Sequence, residues 1–183
     1  MNIKNLPTLQ TQEHLVEDLF SLAITQKSTS TKIFMQLLNE HVNTSHIPTI
    51  VQRLQKHLPN VLLTECFNED GLPFHEEVKN TEIGHLFEHV LLEYLCQLKI
   101  NKGFAEAAFS GRTRWNWMKD PMGTFHIRLT CGVKDADILP LAIEKTITLM
   151  KKVLTDEETL DFRKLTTLQT PSGLKNGEGH EEK

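Results

Sequence analysis

The stretch from Thr81 to Lys99, TEIGHLFEHVLLEYLCQLK, constrains the fold more than any other part of the chain. At about 100° per residue, Ile83, Phe87, Val90, Leu91, Tyr94 and Leu98 gather on one side, with Leu86 and Leu95 flanking them. That apolar face predicts a long helix packed against a sheet. The opposite side carries His85 and His89, one turn apart, with Leu92 and Cys96 beside them. A solvent face would not usually hold Leu and Cys. The second face is therefore expected to be covered and to line a cleft.

Around this helix the chain alternates in period. HLVEDLFSLAI, from about His14 to Ile24, has apolar positions 15, 16, 19, 20 and 23, which predicts a helix. A strand is expected near Lys32 to Leu38, with a helix as the alternative because Met, Gln and Leu are good helix formers. The segment IPTIVQRLQKHLP reads as a short helix, with Pro48 near its first turn and Pro59 as its stop. NVLLTECF is read as a strand, followed by the turn NEDGLP. The long helix is expected to be capped by Asn80 or Thr81. GFAEAAFSGRTR is read as a strand ending at Gly111. GTFHIRLTCG alternates Phe125, Ile127, Leu129 and Cys131 on one side, a second strand. The last helix lies in DADILPLAIEKTITLMKKVL, with Asp135 or Asp137 as its cap and Pro140 in its first turn. This order predicts an α+β domain, a mostly antiparallel sheet of about four strands packed against helices. The domain is expected over residues 1–164, and the polar, Gly-rich stretch 165–183 as a disordered tail.

Composition narrows the function classes. A chain of 183 residues with 39% hydrophobic content can bury one sizeable core. The formal net charge of −4 argues against a general nucleic-acid or anionic-membrane binder. No run of about 18 apolar residues suggests a membrane span, and the N-terminus lacks the apolar core of a signal peptide. Cys66, Cys96 and Cys131 are odd in number, widely spaced and without a CxxC. They are expected to be free thiols in a reducing cytoplasm rather than zinc ligands. Nothing in the sequence fixes the oligomeric state, and a homo-oligomer is compatible with it.

The histidine pair carries the chemistry. Residues i and i+4 on a helix lie about 6 Å apart, so two imidazoles there can share one metal. Glu88 stands between them, in the order H-x-x-E-H of the inverzincin pattern. There the carboxylate is the general base that takes a proton from metal-activated water. His85 and His89 are thus candidate ligands of a divalent metal, most simply zinc, and Glu88 the candidate base. The third ligand is assigned to Glu144, with Asp137 and His126 as alternatives. Glu93 is read as holding an imidazole N–H or as a solvated charge. In SGRTRWNW, Arg112 and Arg114 fall on the same side of an extended segment beside Trp115 and Trp117. They are candidate substrate-binding residues, suited with the adjacent aromatics to carboxylates or to a planar guanidinium-bearing ligand.

Four stretches, IPTIVQRLQKHLPNV, TEIGHLFEHVLLEYLCQL, GFAEAAFSGRTR and GTFHIRLTCG, resemble in order and spacing the N-terminal domain of cyanophycin synthetase. The resemblance covers roughly Lys32 to Leu154. It implies no ligase activity here, because the ATP-grasp and Mur-ligase-like modules of the synthetase lie beyond this domain. It implies polymer binding and, as in some members, a zinc metallopeptidase-like site on the H-x-x-E-H helix that trims the β-aspartyl-arginine polymer. By that likeness His85 and His89 correspond to metal ligands and Glu88 to the base. The expected function is a zinc-dependent hydrolase of a peptide or isopeptide, with a non-catalytic polymer-binding or regulatory module as the alternative.

Overall fold

The computed structural model describes residues 11–66 and 71–155. The expected tail at 165–183 lies outside them. An antiparallel sheet of five strands runs in the order β1-β2-β3-β5-β4. Its strands are β1 (Thr11–Val16), β2 (Phe20–Gln26), β3 (Thr31–Leu37), β4 (Gly111–Arg114) and β5 (Thr124–Leu129). Four helices accompany it: α1 (Ile50–His57), the single turn α2 (Phe74–Glu77), α3 (Ile83–Asn101) and α4 (Leu139–Leu154). The α+β class expected from the sequence holds, with one strand more. No helix among the described residues is long and apolar enough to cross a membrane.

The extra strand comes from a segment expected to be helical. Residues 11–26 form the β1–β2 hairpin, with Val16 opposite Phe20. The buried residues after the turn are Phe20, Leu22 and Ile24, a period of two, while Leu15 is 74% exposed. The apolar set 15, 16, 19, 20 and 23 fits helical spacing only if Leu22 and Ile24 are passed over. Asp18 takes a left-handed backbone at φ 56, a conformation its short polar side chain tolerates in a tight turn. NVLLTECF differs too. Pro59 opens a 3₁₀ turn over Pro59–Leu63, burying Val61 and Leu62 and leaving Leu63 outside. GFAEAAFSGRTR forms its strand from Gly111 onward rather than up to it.

The sheet's inner face presents Phe20, Leu22, Ile24, Ile33, Met35, Phe125, Ile127 and Leu129 to the helices. Against it α3 buries Ile83, Leu86, Phe87, Val90, Leu91 and Leu95. Phe87 meets Phe20 edge to face at 5.9 Å, a geometry worth roughly 0.5–1.5 kcal/mol beyond area burial. Arg53 of α1 donates to the carbonyls of Val153 and Thr155 at the end of α4, satisfying acceptors that a helix C-terminus leaves open. Neither α3 nor α4 has a side-chain cap. Glu82 and Ile138 occupy the cap positions. The residues expected to cap are engaged elsewhere: Asp135 with Lys99 at 2.6 Å, Asp137 with Lys102, and Thr81 with His85.

Gly84 sets how closely α3 approaches the sheet. A Cβ there would lie 2.4 Å from the Phe125 ring, and Phe125 is fully buried. Gly84→Ala should therefore destabilise the fold by about 1–3 kcal/mol through overpacking, despite the better helix propensity of Ala. Urea unfolding of the two proteins checks this, and a more stable Ala variant would contradict the close packing.

Candidate metal centre

α3 carries its histidines on the side away from the sheet, and that side is covered. Phe74, itself fully buried, lies flat against His89 at 3.8 Å between ring centroids. The segment after α1 brings Thr64 and Cys66 over the same helix face. His89 is buried and His85 nearly so, at 17% side-chain exposure. The expectation that this face lines a cleft rather than bulk water agrees with their burial.

Hydrogen bonds fix both rings. His89 Nδ1 lies 2.9 Å from Thr64 Oγ1. The Thr64 hydroxyl already donates to the Val61 carbonyl at 2.7 Å, so its oxygen accepts and His89 Nδ1 bears the proton. His85 Nδ1 lies 2.9 Å from Thr81 Oγ1, and the Thr81 hydroxyl points to Glu77 Oε1 at 3.4 Å. The same logic places the His85 proton on Nδ1. Both Nε2 atoms are then acceptors, and they face each other 3.1 Å apart. Two lone pairs at that distance repel unless a cation lies between them. A shared proton is disfavoured, because burial lowers both imidazoles; His89 is pushed down to about 3, chiefly by desolvation and then by His85.

Cys66 completes the group. Its Sγ is 3.5 Å from His85 Nε2, and the three donor atoms all lie within 4.8 Å of one another. A tetrahedral zinc holds imidazole nitrogens about 3.3 Å apart and a thiolate sulfur about 3.6 Å from each, from its usual bond lengths. The separations of His85 from His89 and from Cys66 match that arrangement, the separation of Cys66 from His89 is longer, at up to 4.8 Å, and one sulfur with two nitrogens is a donor set that zinc takes. Among the described residues these three are the donors that gather at this point. Thr64 on one ring, and Thr81 backed by Glu77 on the other, are the partners that orient such ligands.

Of the residues singled out in the sequence, the structure joins His85 and His89 but not the expected third ligand. Glu144 is exposed on α4, beside a groove lined by His57, Tyr94 and Lys145. Asp137 pairs with Lys102, and His126 with Asp120 at 3.1 Å. Cys66, a residue not expected to be a ligand, is instead the third donor atom grouped with the two imidazoles. No sequence signal marked it: it stands alone, 19 positions before His85, in a stretch that read as a strand. Glu93 accepts from Gln97 at 2.7 Å rather than from an imidazole.

Glu88 is buried, but it faces β4. Its Oε2 accepts from the Thr113 hydroxyl at 2.5 Å, and a Cβ on Gly111 would fall 2.5 Å from its Oε1. Burial raises its carboxyl, with the Thr113 hydrogen bond and the Arg112 charge opposing. Thr113 points inward to α3, so its neighbours Arg112 and Arg114 point outward. They line the far face of the sheet with Lys32, Phe34, His126 and Arg128, and the structure does not bring them to the imidazoles.

Residues 32–138 match the family described as the cyanophycin synthase-like N-terminal domain. The match begins in β3 and ends just before α4, and takes in Cys66, the histidine helix and β4. Among curated proteins none matches the chain. A match over more than half of the 183 residues places this chain in the cyanophycin synthase-like N-terminal domain family.

Proposed function

We propose that this chain is a zinc-dependent hydrolase of a peptide or isopeptide bond, with Cys66, His85 and His89 as the metal ligands. The observation that carries it is the gathering of two Nε2 atoms and one sulfur within 4.8 Å of one another. Zinc held there would supply Lewis acidity, polarising a carbonyl and acidifying water. The chain's own residues do the rest. Thr64 and Thr81 keep each imidazole's lone pair aimed inward, and Phe74 shields one side of the centre from water. Glu88 is the proton acceptor, and its raised carboxyl pKa makes it a stronger base. It is one helix position from His89. The family supplies the first substrate to try, a β-aspartyl-arginine polymer, followed by ordinary Asp- and Arg-containing peptides.

A second reading, a metal-bearing peptide-binding module without catalysis, is favoured by one observation: the Glu88 carboxylate is held by Thr113. In that reading Glu88 fastens α3 to β4 and does nothing else.

The metal is tested first. Protein purified without chelator should carry about one zinc per chain, and a chelator should lower its melting temperature, since a ligand of the native state stabilises it by mass action. Cys66→Ser and His89→Ala should each lose stoichiometric metal and the chelator effect. Absence of both metal and zinc-dependent stabilisation in the native protein would remove the basis of the proposal.

Glu88→Gln separates the two readings. The amide oxygen still accepts from Thr113, so the link to β4 survives, but an amide does not take a proton. The variant should keep its zinc and melting temperature and lose about 100-fold or more in kcat. Cleavage at the wild-type rate by Glu88→Gln, or no cleavage of any of these substrates by zinc-loaded wild type, would favour the binding module.

A further inference from the structure

We infer that Cys66 is an oxidation site, and that hydrogen peroxide acting on its sulfur ejects the metal and switches the centre off reversibly. The inference rests on the zinc reading of this centre and concerns its control. Cys66 stands apart from the other two cysteines. It is the sulfur of the donor group, 3.5 Å from His85 Nε2, so a zinc ion there would hold it as thiolate, the form that oxidants attack. Cys96 and Cys131 are outside that group, and burial raises both thiols, Cys131 to about 11. They stay protonated and react slowly. Cys66 is also within reach. It is half-buried where Cys131 is fully buried. His85 beside it keeps 17% side-chain exposure, while Phe74 covers His89.

In the step, the thiolate sulfur attacks one oxygen of hydrogen peroxide. An S–O bond forms, the O–O bond breaks, and the departing hydroxide takes up a proton and leaves as water. Sulfur is oxidised by two electrons to a sulfenic acid, and the peroxide is reduced by the same two. The sulfur that remains is a weaker, uncharged donor, and two imidazoles alone hold zinc poorly. Thr81 and Thr64 keep the two rings in place, so an ion returning to a reduced Cys66 meets the same donors. No second thiol of the described residues belongs to the group. Cys96 is engaged by the Ala107 carbonyl, and from position 85 to position 96 α3 advances about 16 Å. Recovery is therefore by an external thiol. One such thiol displaces water from the sulfenic acid to form a mixed disulfide with Cys66. A second releases Cys66 as a thiol and departs in an external disulfide.

The test uses the full-length protein purified without chelator, with its zinc counted before any oxidant is added. Hydrogen peroxide follows. Released zinc is read with a metallochromic dye, and sulfenic acid by dimedone labelling mapped to each cysteine. About one zinc per chain should be released, with the label on Cys66 and not on Cys96 or Cys131. In an unlabelled sample freed of peroxide, dithiothreitol and zinc should restore the metal. That recovery separates Cys66 from the exposed Met118 and Met122, whose sulfoxides need an enzyme for their reduction. Cys66→His, which keeps a nitrogen donor at that place, should hold its zinc through the same treatment, and Cys96→Ser should release it as the wild type does. Should Cys66→His carry no zinc, the labelling and the recovery decide. The inference is overturned if zinc-bearing wild type keeps its metal under peroxide, or if the label falls on Cys96 or Cys131 instead of Cys66. Failure of dithiothreitol and zinc to restore the metal, or release from Cys66→His as fast as from wild type, would overturn it equally. A native protein that carries no zinc would overturn the zinc reading itself, and this inference with it, before any peroxide is added.

Discussion

The approach of α3 to the sheet at Gly84 fixes the roll of that helix, and the roll fixes everything chemical in the molecule. With Gly84 seated on Phe125, Glu88, one turn on, is brought against Gly111 and Thr113. The Thr113 hydroxyl lies near both the Gly84 carbonyl and the Glu88 carboxylate. The second glycine has the same role as the first, since any side chain at Gly111 would collide with Glu88. A helix pinned at two glycine contacts has no freedom to turn about its axis. His85 and His89 are therefore held on the far side, under Phe74 and beside Cys66.

The sheet then divides two kinds of chemistry. On the helical side the donors are soft, buried and uncharged. Desolvation lowers both imidazoles and so keeps them in the form that binds a metal. On the outer side stand the permanent charges of Lys32, Arg112, Arg114 and Arg128, with His126 paired to Asp120 beside them. β4 serves both: Thr113 faces inward to Glu88 while Arg112 and Arg114 face outward. Alternation along one four-residue strand thus keeps the arginines apart from the imidazoles, although sequence proximity to the histidine helix suggested a common site.

Much of this was legible in the residues themselves. The amphipathic pattern of α3, the alternation in β5 and the prolines around α1 each report a local period that tertiary structure kept. The covered second face of α3 could be read from Leu92 and Cys96. What escaped was decided at long range. The β1–β2 hairpin reads as a helix because its apolar residues satisfy both periods, and only pairing with β3 through Phe20 and Leu37 selects the strand. Cys66 escaped because a candidate donor contributed from an irregular segment has no spacing rule; its position follows the 3₁₀ turn that Pro59 starts. Thr81 was legible as a polar residue at a helix start, yet its hydroxyl holds His85.

That exchange of roles is itself informative. A threonine just before a helix ordinarily accepts from a free backbone N–H of the first turn, a contact worth about 1 kcal/mol. Here Val42 supplies the acceptor for the Ile83 N–H, through its backbone carbonyl. Thr81 is tied by backbone hydrogen bonds to Thr44, whose own hydroxyl donates to the Val78 carbonyl. The segment around residue 43 thus performs the capping and frees the Thr81 side chain for the imidazole. A fold indifferent to the orientation of His85 has no use for this substitution of one cap by another. The same holds for Thr64, whose hydroxyl closes its own turn onto Val61 and in doing so presents only a lone pair to His89. Each threonine sends its proton outward, so each imidazole sends its proton toward the threonine and its lone pair toward its neighbour. Two independent segments impose the same tautomer on two facing rings, and so turn both lone pairs toward the space beside Cys66.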